Sequence, residues 1–155
     1  MGNTFSHIYI HTVFAVKNPN ALISPVWEVE LFKYISGIAR NKRQKVLAIN
    51  GTSNHIHFLI EMTPTISVTD LVTEIQDAST KFVRERNFTS GNFEWQEGYG
   101  VFSCGQSNLF EVIQNIRNQK EHHKKQSFKE EYIGLLKAFE IEYQEEFLFD
   151  WLPDA

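Results

Sequence analysis

The stretch Lys45-Val-Leu-Ala-Ile-Asn-Gly-Thr-Ser-Asn-His-Ile-His-Phe-Leu-Ile-Glu-Met62 decides how the chain is read. Lys45 to Asn50 is a short apolar run, Gly51-Thr52-Ser53 is a turn signal, and Asn54 to Met62 is a second run, so the three predict a β-hairpin. On a strand, side chains at i and i+2 point the same way. Ile56, Phe58 and Ile60 are therefore expected to enter a core, while His55 and His57 stand side by side on the opposite face.

Outward from the hairpin, the chain alternates between strand and helix signals. Upstream, His7, Tyr9 and His11 share one parity and Ile8 and Ile10 the other, which predicts a strand from Phe5 to Val16, broken by Asn18-Pro19-Asn20. Ser24-Pro25 is a helix start, followed by Val26, Val29, Leu31, Phe32, Ile35 and Ile38 at helical spacing to about Asn41. Downstream, Ser67 caps a helix whose stripe is Leu71, Val72, Ile75, Ala78, Phe82 and Val83. Asn87 to Asn92 is loop-like, and Tyr99 to Ser103 is a fourth strand. A third helix runs from Ser107 or Asn108 through Gln119, and Ser127-Phe-Lys-Glu130 is a capping box for a last helix carrying Tyr132, Leu135, Leu136 and Phe139. The acidic, aromatic tail from Glu140 is expected to pack as an irregular extension.

This order predicts an α+β, ferredoxin-like split βαβ fold: a central antiparallel sheet, helices on one face and additional C-terminal helices. At 155 residues the expectation is one domain, 1–155, with its core at about 5–125 and a C-terminal helix and tail at 126–155. A composition 42% hydrophobic and 14% aromatic excludes a disordered chain. No apolar run is long enough to cross a bilayer, and the first residues lack the basic region of a signal peptide. Cys104 is the single cysteine, which suits a reducing cytoplasm. The net charge of −4 argues against a protein that coats DNA nonspecifically. Basic residues nevertheless cluster at Arg40, Lys42, Arg43 and Lys45, and again from Arg117 and Lys120 to Lys125, so a local groove for nucleic acid is expected there.

Two imidazoles one strand-step apart can share a divalent ion, though so short a motif also arises by chance and then binds nothing. In the third helix, Val112, Asn115, Ile116 and Gln119 share a face. Gln119 could complete a His-His site through its carbonyl oxygen, or be an ordinary surface residue. His122 and His123 read as solvated at a helix end, and His7 and His11 as packed structural residues or as lining the sheet near the site.

Longer blocks then point to a family. His11-Thr-Val-Phe, Asn54-His55-Ile56-His57-Phe58-Leu59-Ile60, Asp70-Leu71-Val72, Ala78-Ser79-Thr80-Lys81, Phe93-Glu94-Trp95-Gln96-Glu97-Gly98-Tyr99-Gly100-Val101-Phe102-Ser103 and Asn118-Gln119-Lys120-Glu121-His122-His123 together resemble the IS200-like transposases, single-tyrosine enzymes of the His-x-His type. The resemblance implies that His55, His57 and Gln119 hold Mg²⁺ or Mn²⁺ that polarises a scissile phosphate. It implies a tyrosine four residues before the glutamine that attacks to give a 5′-phosphotyrosine and a free 3′-OH. It also implies single-stranded or hairpin DNA as partner, and a homodimer in which one subunit's helix completes the other's site. The tyrosine position is Asn115, and a carboxamide cannot accept a phosphoryl group as phenolate does. Tyr99 belongs to the Trp-Gln-x-Gly-Tyr block, and neither Tyr132 nor Tyr143 has the required relation to Gln119. Three readings follow: a transposase that has lost its nucleophile, a domesticated and cleavage-dead hairpin-DNA-binding protein, or a metal-binding or interaction module on the same fold.

Overall fold

The computed structural model describes residues 2–153. Four strands form one antiparallel sheet in the order β2-β3-β1-β4: β1 is Ile8–Ala15, β2 Lys45–Thr52, β3 His55–Met62 and β4 Gly100–Cys104. Helix α1 (Glu28–Asn41) and helix α2 (Val68–Glu85) are the crossovers of the split βαβ pattern. After β4 come α3 (Leu109–Arg117), α4 (Gln119–His122) and α5 (Phe128–Ala138). Among the described residues no helix is long and apolar enough to cross a membrane.

Strand alternation builds both faces of the sheet. Phe14, Ile56, Phe58 and Ile60 pack with Leu31 and Ile35 of α1 and with Leu71 and Ile75 of α2. On the opposite face, Tyr9, Ala48 and Leu59 meet Ile116 of α3, and Val13, Ala15 and Phe102 meet Phe128, Tyr132 and Leu136 of α5 together with Phe149 of the tail. The second face is thus roofed by the C-terminal elements. His11, His55 and His57 are buried on it, between those two apolar clusters.

Local signals place several boundaries well. Ser67 Oγ accepts from the Asp70 amide at 3.0 Å and Ser127 Oγ from the Glu130 amide at 3.1 Å, capping α2 and α5. Others shift. The hairpin turn is Ser53-Asn54, because β2 continues through Gly51 and Thr52 opposite Ile56 and His55. Gly51 is required there: a Cβ would collide with the His55 carbonyl oxygen. Ser24 opens a turn, accepting from the Val26 amide at 3.2 Å, and α1 begins only at Glu28. The single third helix expected through Gln119 is broken at Asn118, whose φ/ψ of −96°/18° separates α3 from α4.

Trp95 and Gln96 tie the connection before β4 to both ends of the molecule. Trp95 Nε1 donates to Ser79 Oγ on α2 at 2.9 Å. Gln96 Nε2 donates to the Val16 and Asp150 carbonyls at 3.0 and 2.8 Å, and its Oε1 accepts from the Asp150 amide at 2.7 Å. The tail is thereby fastened beside β1, and Phe149 and Trp151 pack against Phe128 on α5.

Candidate functional site

His55 and His57 project from β3 toward α4 and α5, and their side chains are 0% and 1% exposed. The register explains what surrounds them. Thr52 lies opposite His55, and Val13 opposite His57, so His11 is one diagonal step from His57. Each imidazole has its Nδ1 engaged: His55 with Asn54 Oδ1 at 2.6 Å and Thr52 Oγ1 at 3.1 Å, His57 with His11 Nε2 at 2.8 Å. Their Nε2 atoms are left to face the interior.

Two residues from the C-terminal elements meet them. His123, just past α4, is 3% exposed and holds its Nδ1 at 2.9 Å from the Gln126 carbonyl. Glu131, in the first turn of α5, is 10% exposed. Its Oε1 lies 2.6 Å from His57 Nε2, 3.2 Å from His123 Nε2 and 3.7 Å from His55 Nε2. One ligand atom from each of these four residues falls within 4.8 Å of the others, close enough to hold a metal ion. Gln119 is at the same place: its Oε1 is 3.2 Å from His55 Nε2, and its Nε2 donates to Glu131 Oε2 at 2.9 Å.

Burial governs the charges. Burial first, and the neighbouring His57 second, push His11 from 6.5 down to about 3, so it is neutral and its Nε2 can accept from His57. Burial and then His57 likewise hold His55 well below the ordinary imidazole range, with Glu131 pulling the other way. For Glu131, burial favours the protonated form, but the His57 charge and hydrogen bonds from His123, His57 and Gln119 outweigh it and hold the carboxyl well below its usual range. The centre is a buried carboxylate among imidazoles, a donor set suited to a divalent ion.

The remaining expected residues divide. Asn115 is exposed and lines a pocket of about 240 Å³ together with His11, His57, Gln119 and Glu131, so the shared face survives the break at Asn118. The basic residues fall into two groups at opposite ends of edge strand β2. Arg40, Arg43 and Lys45 line a hollow at the α1–β2 corner, and Lys42 pairs with Glu74 at 3.1 Å. Arg117 is exposed, and its carbonyl accepts from Asn50 at 2.9 Å. Lys120 Nζ is engaged by Glu28 at 3.0 Å and Asn50 Oδ1 at 2.8 Å. His122 is solvated as expected, whereas His123 is not. Tyr132 follows Glu131 but packs among Phe102, Phe128 and Phe149, where burial pushes its phenol up to about 12.

A family model described as "Transposase IS200 like" matches residues 4–119. The chain belongs to the IS200-like transposase family. Two solved structures share the fold. One is a candidate transposase from Deinococcus radiodurans, 19% identical, with a TM-score of 0.60 over 77% of this chain and 96% of that one. The other is a REP-associated tyrosine transposase bound to a REP hairpin, 12% identical, with a TM-score of 0.58 over 79% of this chain and 74% of that one. No curated protein matches the chain. The IS200-like match takes in His55, His57, Asn115 and Gln119 and stops before His123 and Glu131.

Sequence reasoning missed these last two residues, although a faint signal existed for each. His123 is one helical turn beyond Gln119, and Glu131 is a charged residue amid the apolar stripe of Phe128, Tyr132 and Leu135.

Proposed function

We propose that this chain is an IS200-like transposase homologue that binds single-stranded or hairpin DNA and a divalent ion, and that it does not cleave. Asn115, in the position where the family resemblance implies the nucleophilic tyrosine, carries this reading. It lines the pocket that also exposes His57 and Glu131, so a group there faces the metal cluster, but a carboxamide forms no phosphotyrosine. His55, His57 and Gln119 are the ion-holding residues of the reading, with Mg²⁺ or Mn²⁺ the ions that the resemblance implies. Bound, the ion supplies Lewis acidity toward a phosphate oxygen. Hairpin DNA as partner is supported by the relative solved with a REP hairpin.

The test is a strand-nicking assay with Mn²⁺ on the hairpin-flanked single strand from the gene's own locus, comparing the unaltered chain with Asn115→Tyr. Binding without covalent adduct is expected for the unaltered chain, and an adduct for Asn115→Tyr. An adduct formed by the unaltered chain overturns the cleavage-dead reading. Pairing of two copies is a separate part of the proposal, checked by light scattering on the same samples. That Gln119 reaches His55 of its own chain supports a site complete in one copy.

A further inference from the structure

We propose that His55, His57, His123 and Glu131 form a four-ligand site that takes a borderline transition-metal ion, Zn²⁺ foremost, in preference to Mg²⁺. The inference rests on the reading of His55 and His57 as metal ligands and changes what completes the site.

Three observations carry it. The first is orientation. Metal-binding histidines characteristically have their second ring nitrogen held by a neighbour, which fixes the ring. All three imidazoles here satisfy this: Asn54 and Thr52 hold His55, His11 holds His57, and the Gln126 carbonyl holds His123. Each engages Nδ1 and turns Nε2 to the same point.

The second is the carboxylate. Glu131 presents Oε1 to all three Nε2 atoms, while its Oε2 is taken by Gln119 Nε2 at 2.9 Å and faces His122 Nε2 at 3.3 Å. One oxygen is thus offered to an ion and the other is tethered. Gln119 aims Glu131 through its amide nitrogen, while its Oε1, 3.2 Å from His55 Nε2 and 3.0 Å from His123 Nε2, stands beside the same point as a further oxygen donor.

The third is the donor set. Three imidazole nitrogens and one oxygen suit Zn²⁺, whose bonds of ~2.0–2.2 Å put neighbouring ligand atoms ~3.3 Å apart in a four-coordinate shell. The 3.2 and 3.7 Å separations are close to this, and the 2.6 Å contact to His57 opens when the ion displaces the shared proton, which leaves to solvent. Mg²⁺ keeps several waters and seeks oxygen ligands.

The experiment uses the full chain, stripped with chelator, then titrated with Zn²⁺, Mn²⁺ or Mg²⁺ and followed by thermal melting and by metal content after desalting. One retained equivalent of Zn²⁺ with a raised Tm, and no shift with millimolar Mg²⁺, is expected. His123→Ala and Glu131→Gln should each weaken Zn²⁺ by at least the ~10–100-fold that loss of an orienting partner costs. Unchanged Zn²⁺ affinity in both variants, with loss only in His55→Ala, overturns the four-ligand site and leaves the ion of the proposed function in place. No binding of any of the three ions overturns both. Co²⁺ loaded into the unaltered chain needs no folded variant: intense visible absorption marks a four-coordinate ion, and the weak spectrum of a six-coordinate ion overturns the proposal.

Discussion

His11, His55 and Glu131 are ionisable groups that folding withdraws from water, and all three link stability to pH with the same sign. Unfolded, His11 titrates at its ordinary 6.5, whereas folded it is held at about 3 by burial and by His57. Between those values the unfolded chain binds a proton that the folded chain does not, so stability is full above 6.5 and is lost as the pH falls toward 3. His55, lowered for the same reasons, adds to the loss in that direction. Glu131, depressed below its ordinary 4.5, contributes stability that is present above that value and is lost on further acidification. The metal-free chain is therefore expected to show a lower urea midpoint at about pH 5 than at about pH 7. Equal midpoints would mean that the histidines on the second face of the sheet are hydrated rather than buried.

At the scale of elements, the decisive piece is the short path from α4 to α5, because it sets where His123 and Glu131 stand. Ser127 caps α5 four residues before Glu131 and so fixes the phase of its first turn. Ser127→Ala is expected to lower stability by ~1 kcal/mol in urea unfolding, the usual cost of losing such a cap. It should also weaken ion binding, since the turn it frays carries a ligand. No loss in either measurement would assign the placement of α5 to Phe128 and Tyr132 alone. This cap was legible because Ser-x-x-Glu before an apolar stripe is a local signal. So were β3 and its two faces, from alternation, and the split βαβ fold class, from the succession of elements. The break at Asn118 was not legible: helical periodicity continues across it, and Ile116 and Gln119 line the same pocket from separate helices. Of the site, His55, His57 and Gln119 could be found by spacing and resemblance. His11 required the β1–β3 register, and Glu131 required α5 to fold back across 74 positions of sequence onto His57. No local period encodes either contact.

For the whole molecule, an acidic balance must be reconciled with a proposed nucleic-acid partner. Part of the positive charge is already paired: Lys17 and Arg84 with Glu94, Lys42 with Glu74, Lys120 with Glu28 and Lys124 with Glu121. Arg40, Arg43 and Lys45 gather at the α1–β2 corner with no ion pair among the described residues, which makes that corner the candidate contact for a phosphate backbone. Each phosphate neutralised on a single strand contributes about −0.7 to the slope of log affinity against log salt, so three contacts predict a slope of about −2. A strongly basic DNA-coating surface would give a much steeper one. Replacing all three with alanine should flatten the slope toward zero and weaken binding to every single strand alike, because backbone contacts carry no sequence information. Fluorescence anisotropy with a labelled hairpin-flanked strand across a salt series measures both. If the triple variant keeps the parent's slope, the phosphates are held elsewhere, and the exposed Arg117 end of β2 becomes the surface to substitute next.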